Sequence, residues 1–245
     1  MEKTCIIIPC FNEGSRLELE TFQLFLQTNQ FSLIFVNDGS TDNTIDTLKK
    51  LKIKFFDLVH IINLPQNVGK GEAVRQGFLA AFDVGGYDYL GYLDADLATP
   101  LEEIEYLLGH FNGHTKIVLG ARVLRLGAII ERDPLRHYLG RIFATLASNV
   151  LDMKVYDSQC GAKLFEEKMA QVLFREPFIS KWLFDLELLY RLKLIDPDSF
   201  FNNTLEVPLR TWKEKGNTKI KITDFLSAPF DLFKIKQNTH LKIAE

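Results

Sequence analysis

Short apolar segments alternate with amphipathic ones along the first half of this 245-residue chain. The apolar segments are rich in β-branched and aromatic residues: TCIIIPC (4–10), FSLIFVND (31–38), LVHIINL (58–64), YDYLGYLD (87–94) and KIVLGAR (116–122). Between them, apolar residues recur with helical spacing at about residues 15–28, 42–51, 70–83 and 100–111. This alternation predicts an α/β fold, in which buried strands form a mostly parallel, doubly wound sheet flanked by helices.

Polar clusters follow three of the predicted strands. They are PCFNE (9–13), NDGSTD (37–42) and DAD (94–96). Each cluster alone is a weak signal, because a sequence such as NDGS is by default a turn before a helix. Ligands of doubly wound sheets bind at the carboxyl ends of the strands, so we expect the three clusters to converge on one edge.

The segment YLDADLATP (92–100) ends an apolar run with two carboxylates, Asp94 and Asp96. Residues i and i+2 of a strand point to one face, so the two charges repel each other unless a cation lies between them. One interpretation is that both are solvated loop acids. The other is that they bind Mg²⁺ or Mn²⁺ on a diphosphate, since the first half lacks the phosphate-binding glycine motifs of dinucleotide and P-loop folds. NVGKG (67–71) is either a structural turn or a place where backbone N–H groups approach an anion.

Composition narrows the class of protein. The net charge of −3 argues against a nucleic-acid partner. No stretch approaches the roughly 20 apolar residues of a membrane span, and we therefore expect a cytoplasmic protein. From residue 210 onward, however, the chain contains eight Lys or Arg and only four Asp or Glu. The segment ITDFLSAPFDLFKIKQ (222–237) either packs on the domain or makes a peripheral contact with a membrane.

Several motifs together resemble one family. IIIPCFNE, VNDGSTDNT, NVGKGEAVRQG, YLDADLATP and VLGARV resemble the GT-A nucleotide-sugar glycosyltransferases of family 2. DSQCGAKLF (157–165), KWLFDLELLYR (181–191) and EVPLRTWKEKGNTKI (206–220) resemble its dolichyl-phosphate β-glucosyltransferase or polyprenyl-phosphate branch. The resemblance implies a single GT-A domain over 1–235, with a nucleotide-sugar half (1–122), an acceptor half (123–235) and a C-terminal tail (236–245). It also implies inverting transfer of a hexose, with glucose favoured, from a UDP-sugar to a polyprenyl or dolichyl phosphate.

The resemblance assigns donor-side roles residue by residue. Asp94 and Asp96 would form the D-x-D pair, with Asp96 the more direct ligand of Mg²⁺ or Mn²⁺ and a catalytic residue. Arg122, also expected to be catalytic, sits where the family has G-S-R, although Ala121 replaces the serine. The residues expected to border the nucleotide-sugar are Pro9, Glu13, Asp38, Lys70 and Arg75.

A phosphate acceptor would need positively charged side chains to bind it. A phosphate monoester has a second pKa of about 6, so it is largely an anion at neutral pH and needs placement rather than a base. Arg132 and Arg136 are four residues apart and would share one helical face near Arg122 and Arg141. The alternative is a solvated amphipathic helix. Asp157 is expected to organise this acceptor site.

Asp185 and Glu187 lie in an apolar helical segment, where unpaired carboxylates are costly. Asp185 either has a structural partner or faces the active site as a catalytic base. Three functions are therefore open. The first is transfer to a polyprenyl phosphate, the second is transfer to a glycan or protein hydroxyl with Asp185 as base, and the third is nucleotide-sugar binding without catalysis.

Overall fold

The computed structural model describes residues 2–28, 31–216 and 222–243, without the side chains of 135–137, 139, 222–228 and 240–243. The strands are β1 (Thr4–Cys10), β2 (Phe31–Asp38), β3 (Val59–Leu64), β4 (Tyr89–Leu93), β5 (Ile117–Ala121), β6 (Ile129–Glu131), β7 (Ala162–Glu166), β8 (Thr204–Pro208) and β9 (Thr211–Lys213). The helices are α1 (Leu19–Thr28), α2 (Thr44–Lys54), α3 (Lys70–Val84), α4 (Glu102–Leu108), α5 (Pro134–Leu151), α6 (Glu167–Phe174), α7 (Phe184–Ile195), α8 (Pro197–Asn202) and α9 (Ile222–Ile243).

Seven of these strands form one sheet in the order β3-β2-β1-β4-β7-β5-β8. β1 pairs in parallel with β2 and β4, β2 with β3, and β5 with β8. The predicted parallel, doubly wound sheet is therefore confirmed. β7 differs, because it runs antiparallel between β4 and β5.

The all-apolar strands are explained by helices on both faces of the sheet. Ile7 of β1 packs in a core with Phe78 of α3, whereas Ile6 and Ile8 pack in a second core with Phe22 of α1. Strands covered on both faces need apolar residues at every position rather than at alternate ones. The prediction of buried strands was wrong for β3, which lies at the edge of the sheet and is only partly buried.

β6 and β9 form a second, two-stranded parallel sheet that rests on the loop after β4. The backbone N–H of Lys213 donates to the carbonyl of Ala98 (2.9 Å). Arg210 binds the buried Glu103 carboxylate through its backbone N–H (3.0 Å) and through Nε (3.1 Å). The second half of the chain thus supports the loop that carries the D-x-D motif.

The last helix packs on the domain. Leu232 and Ile235 of α9 are fully buried in the core, while Phe230 and Phe233 remain exposed. α9 also continues through residue 235 to Ile243. Within the described ranges, no helix is both long and apolar enough to cross a bilayer.

Candidate active site

The loops after β1 and β2 are joined at the carboxyl edge of the sheet. The backbone N–H of Asn12 donates to Ser40 Oγ (2.9 Å), and that of Glu13 donates to Thr44 Oγ1 (2.9 Å). β1 pairs with β4 in parallel, so the loop after β4 reaches the same edge. The three polar clusters therefore meet at one end of the sheet.

Each D-x-D carboxylate faces a basic side chain. Lys70 Nζ lies 2.6 Å from Asp94 Oδ1, and Arg16 Nη2 lies 3.8 Å from Asp96 Oδ2. The side chains of Asp94 and Asp96 are 37% and 30% exposed, so neither is a freely solvated loop acid. Burial and the charge of Asp94 raise the pKa of Asp96. Burial alone would lower the pKa of Lys70, but the charges of Asp94 and Asp185 outweigh it and raise that pKa.

Two backbone features fix the direction of these carboxylates. Leu97 has a φ of 52°, in the left-handed region, and its buried side chain holds this unfavourable conformation in place. The turn lets Asp96 Oδ1 accept a hydrogen bond from the backbone N–H of Ala98 (3.0 Å). On the other side, Gly161 packs directly against Asp94, because a Cβ at this glycine would lie 2.0 Å from Asp94 Oδ2.

Asp38 organises the turn that begins α3. Its carboxylate accepts hydrogen bonds from the backbone N–H groups of Val68 (2.7 Å) and Gly69 (3.0 Å) and from Asn67 Nδ2 (3.0 Å). Gly69 has a φ of 97°, which a residue with a side chain rarely adopts. This turn places Lys70 beside the D-x-D pair. NVGKG is therefore a structured turn, and a contact of Asp38 with the nucleoside remains a prediction.

Pro9, Glu13 and Arg75, the other residues expected to border the nucleotide-sugar, lie at different places. Pro9 lies in β1 opposite Val36, and the buried Glu13 carries Oε2 3.5 Å from Arg16 Nη1. Arg75 is not brought together with them. Its guanidinium donates to Glu72 Oε1 (2.8 Å) and to the carbonyl of Arg175 (2.8 Å), which directs it toward the end of α6.

A buried ionic cluster lies beneath the D-x-D loop. Lys163, which is fully buried on β7, donates to Asp185 Oδ1 (2.5 Å) and to the carbonyl of Cys160 (2.6 Å). The Tyr92 hydroxyl also donates to Asp185 Oδ1. Burial and the charge of Asp185 raise the pKa of Tyr92 well above its usual value. Asp185 is thus paired with the buried Lys163, and the contacts of Asp185 with Lys163 and Tyr92 join α7 to β7 and β4.

Glu187 has a structural role. Its Oε1 lies 2.6 Å from Arg191 Nη2, and its Oε2 accepts backbone hydrogen bonds from Ile179 (2.8 Å) and Ser180 (3.2 Å). The carbonyl of Lys181 then accepts from the N–H of Gly71 in α3 (3.2 Å). The second acid of FDLELLY therefore positions the loop that packs against the start of α3.

Arg122 and Asp157 form a bidentate ion pair after β5. Nε and Nη2 of Arg122 each lie 2.7 Å from an oxygen of Asp157, and the Arg122 backbone N–H adds a third hydrogen bond (2.9 Å). Burial would raise the pKa of Asp157, but Arg122 lowers it to about 2. The Glu206 carboxylate accepts a hydrogen bond from the backbone N–H of Asp157 (2.6 Å) and helps to fix its position. This pair fixes the Arg122 fork.

Three arginines line one small cavity beside this pair. The lining residues are Arg122, Arg132, Gly140, Arg141, Ala144, Tyr156, Asp157, Ser158 and Gln159. Burial and the charge of Arg122 lower the pKa of Arg132, as expected for two cations that an anion would stabilise. Arg141 donates to the carbonyl of Tyr156 (2.7 Å) and lies 3.8 Å from the centre of its ring. The prediction that Arg132 and Arg136 share one helical face was wrong, because Arg132 lies in the loop before α5, which begins at Pro134. The side chain of Arg136 lies outside the described residues.

The carboxylates of Asp94 and Asp96 fit a metal ion that also binds a substrate. Among the described residues, no group of three or more His, Cys, Asp and Glu side chains could hold a metal ion. Two adjacent carboxylates match a hard cation such as Mg²⁺, which is commonly bound by one or two carboxylates together with substrate phosphates. Asp94 and Asp96 therefore fit a cation whose remaining ligands come from a diphosphate.

Comparison with known sequences finds one matching family model and relatives that share most of the length of this chain. The model of the family described as Glycosyl transferase family 2 matches residues 5–174. A dolichyl-phosphate beta-glucosyltransferase of Trichomonas vaginalis is 32% identical over 95% of this chain and 70% of its own length. The Homo sapiens dolichyl-phosphate beta-glucosyltransferase is 32% identical over 94% of this chain and 74% of its own length.

Solved structures share the fold. The glucosyl-3-phosphoglycerate synthase of Mycobacterium tuberculosis, in complex with Mn²⁺, UDP and glucosyl-3-phosphoglycerate, superposes with a TM-score of 0.68 at 15% identity. The alignment covers 97% of this chain and 80% of that one. A second structure of that enzyme, with Mg²⁺ and UDP, gives a TM-score of 0.68. At this identity the likeness establishes the fold alone.

Three site residues have no counterpart in the sequence-based predictions. Arg16 links Glu13 to Asp96, Gly161 makes room for Asp94, and Lys163 neutralises Asp185. Lys163 carried the clearest signal, because a lysine inside the apolar strand AKLF requires a buried acid as partner. Arg16 and Gly161 stand in ordinary polar loops, where nothing local distinguishes them.

Proposed function

Because the chain belongs to glycosyl transferase family 2, we propose that this glycosyltransferase moves a hexose, glucose first among the candidates, from a UDP-sugar to a polyprenyl or dolichyl phosphate. The observation that carries the acceptor assignment is the three-arginine cavity next to the Arg122–Asp157 pair. Relatives named as dolichyl-phosphate beta-glucosyltransferases support the same acceptor class.

On the donor side, Asp94 and Asp96 would hold Mg²⁺ or Mn²⁺ on the diphosphate, with Asp96 the more direct ligand. When bound, such an ion acts as a Lewis acid that neutralises the charge developing on the leaving diphosphate. Lys70 stands beside Asp94 and adds a second positive charge there. Structures of the fold relative with Mn²⁺ or Mg²⁺ and UDP support this arrangement.

The nucleoside would lie over the ends of β1 and β2 and would be bordered by Pro9, Glu13 and Asp38. Asp38 shapes the turn at 67–69 and would recognise the edge of the uracil or ribose. Glu13 is held by Arg16, so its carboxylate is fixed for a ribose hydroxyl. Arg75 is expected to act on the donor only through the packing of α3, since its guanidinium is bound elsewhere.

On the acceptor side, the arginines place a phosphate whose oxygen is already an anion. Arg132 and Arg141 would supply charge, while Asp157 compensates Arg122 and keeps its guanidinium in one orientation at the cavity wall. The acceptor oxygen attacks the anomeric carbon as the bond to the diphosphate oxygen breaks. This single in-line displacement inverts the anomeric configuration and requires no proton transfer to a protein base.

A hydroxyl acceptor with Asp185 as base is the second candidate, and the burial of Asp185 argues against it. Asp185 is 3% exposed, and its Oδ1 already accepts from Lys163 and Tyr92. A general base must reach the proton that it removes. The contacts of Asp185 instead join β4, β7 and α7 below the D-x-D loop, which makes it a positioning residue.

The proposal is tested with purified protein, several UDP-sugars, Mg²⁺ or Mn²⁺, and a short polyprenyl phosphate, with products detected by mass spectrometry. We expect a hexosyl polyprenyl phosphate from UDP-glucose, loss of product in Asp96→Asn, and retained donor binding with lost transfer in Arg132→Ala. Transfer to a hydroxyl acceptor that Asp185→Asn abolishes would support the second candidate. Tight UDP binding with neither transfer nor donor hydrolysis would instead indicate a non-catalytic module.

A further inference from the structure

We propose that Lys70 makes the D-x-D pair selective for a divalent cation that is already bound to a diphosphate. Lys70 neutralises Asp94, and it releases this carboxylate when its ammonium group can bind a diphosphate oxygen instead. The inference rests on the proposed function, because it concerns the donor site, and it adds a residue that discriminates against the free metal ion.

Lys70 and Asp94 form a direct ion pair. Lys70 Nζ lies 2.6 Å from Asp94 Oδ1, and the two side chains are 38% and 37% exposed. Gly161 packs against the other carboxylate oxygen, since a Cβ at this glycine would lie 2.0 Å from Asp94 Oδ2. Oδ1 is therefore the oxygen that Lys70 and a metal ion would share.

A cation on Asp94 Oδ1 would compete with Lys70. Mg²⁺ binds carboxylate oxygens at about 2.1 Å, which would put it within about 5 Å of Lys70 Nζ. Like charges at this separation in a partly buried site repel each other strongly. At Asp96 the competition is weaker, because Arg16 Nη2 lies 3.8 Å from Asp96 Oδ2. A cation can thus bind both carboxylates only when Lys70 leaves Asp94.

The packing of Lys70 restricts where its ammonium group can go. Lys70 is the first residue of α3, and its Nζ lies 5.6 Å from the centre of the Phe184 ring. Gly71 permits this packing, because a Cβ at Gly71 would lie 2.7 Å from Phe184 Cβ. The Gly71 N–H also donates to the carbonyl of Lys181 (3.2 Å). The start of α3 is therefore held against the start of α7, and Lys70 reaches only anions close to the D-x-D loop.

Asp185, which follows Phe184 on α7, is already compensated. Its Oδ1 accepts hydrogen bonds from Lys163 Nζ (2.5 Å) and from the Tyr92 hydroxyl, and all three residues are at most 3% exposed. Lys70 therefore gains little by turning from Asp94 to Asp185, where a second ammonium group is bound. A diphosphate, in contrast, carries as much negative charge as a divalent cation carries positive charge. Lys70 keeps an anionic partner when the cation and the diphosphate arrive together.

Removing the charge of Lys70 should have opposite effects on two binding events. Without Lys70, Asp94 and Asp96 attract a free cation more strongly, because no ammonium group competes for Asp94 Oδ1. With UDP present, the bound complex loses the contact between Lys70 and the diphosphate. Replacing a residue that only supported the fold would weaken both binding events, so the opposite signs identify the role of Lys70.

The test measures Mn²⁺ binding to the full chain from the electron paramagnetic resonance signal of free Mn²⁺, with and without UDP. The neutral variants are Lys70→Met and Lys70→Gln, and Lys70→Arg retains the charge. The matched control is Lys116→Met, because Lys116 Nζ lies 3.6 Å from Asp196 Oδ2 with side chains 38% and 32% exposed. Lys116 precedes β5, which starts at the opposite end of the sheet from the D-x-D loop. Thermal unfolding checks that each variant is folded, and transfer to a short polyprenyl phosphate is measured on the same samples.

We expect both neutral variants to bind Mn²⁺ alone about tenfold more tightly than the wild type, and Mn²⁺ with UDP about tenfold more weakly. Lys70→Arg and Lys116→Met should bind Mn²⁺ alone as weakly as the wild type does. Unchanged or weaker binding of Mn²⁺ alone in the neutral variants would overturn the role of Lys70, as would equal tightening in Lys116→Met. Opposite shifts without transfer to any acceptor would refute the proposed function and leave the role of Lys70 standing. Parallel losses in the neutral variants of a wild type that transfers sugar would overturn the role of Lys70 alone.

Discussion

Replacing Gly161 with alanine tests whether the position of Asp94 is set by close packing. A Cβ at residue 161 would lie 2.0 Å from Oδ2 and 2.4 Å from Cγ of Asp94. Non-bonded heavy atoms prefer separations of about 3.5–4.0 Å, so the carboxylate must move by about 1.5 Å. The obstacle is a side chain, so the carboxylate is expected to turn away and leave Lys70.

The expected cost falls on catalysis more than on folding. A displacement of about 1 Å at reacting groups lowers rates about 100-fold, which corresponds to roughly 2.7 kcal/mol of transition-state stabilisation. The extra methyl group should lower the free energy of unfolding by only about 1–3 kcal/mol, the usual cost of overpacking. We therefore expect Gly161→Ala to remain folded, to lose about 100-fold in kcat/KM, and to bind Mn²⁺ in the presence of UDP more weakly.

Gly120→Ala is the matched control. A Cβ there would lie 3.0 Å from Leu209 Cδ2, 3.1 Å from the carbonyl of Ala162 and 3.2 Å from Cys160 Sγ, none of which is a donor-site carboxylate. This variant should lose stability in thermal unfolding and keep most of its transfer rate per folded molecule. Near-wild-type transfer and metal affinity in Gly161→Ala would refute the packing argument, as would an equal loss of rate in Gly120→Ala.

Three further outcomes are expected. Arg16→Ala should raise KM for the UDP-sugar about fivefold with little change in Tm, because its partly exposed contacts with Glu13 and Asp96 at 3.5 and 3.8 Å are worth about 1 kcal/mol. An unchanged KM would remove Arg16 from the donor site. Metal binding followed by calorimetry should be strong with UDP and weak without it, since two carboxylates alone hold Mg²⁺ poorly; tight binding to the protein alone would contradict this. Because Arg122 holds the pKa of Asp157 near 2, below its value of 3.8, the stability from this pair should be complete above about pH 4 and lost as pH falls toward 2. Urea unfolding should show a shallower acid loss in Asp157→Asn, and an unaltered slope would argue against the pair.

Local patterns were sufficient for the first half of the fold. β1, β2 and β4 are continuous apolar strands that end in polar turns, and the rule for doubly wound sheets brought Asp38, Asp94 and Asp96 to one edge. Arg122 and Arg132 likewise line one cavity, although Arg132 lies in the loop before α5 and not on the predicted helical face. These predictions needed only residue spacing and the direction of the strands.

Features that depend on long-range pairing were not predicted. β7 is a five-residue strand that contains the buried Lys163, and nothing in its residues indicates that it lies antiparallel between β4 and β5. Lys163 neutralises Asp185 from 22 residues away, so the pair leaves no periodic pattern. The contact of Gly161 with Asp94 likewise joins two separate turns, and a single sequence carries no record of their distance.

The position of β7 limits how this enzyme can be divided. A fragment ending at residue 122 would contain β4 and β5 without the strand that hydrogen-bonds to both. The two predicted halves, 1–122 and 123–235, therefore share one interleaved sheet and cannot be exchanged as modules. New acceptor preferences in such a scaffold would have to arise in the loops above the sheet, while its strands stay in their order.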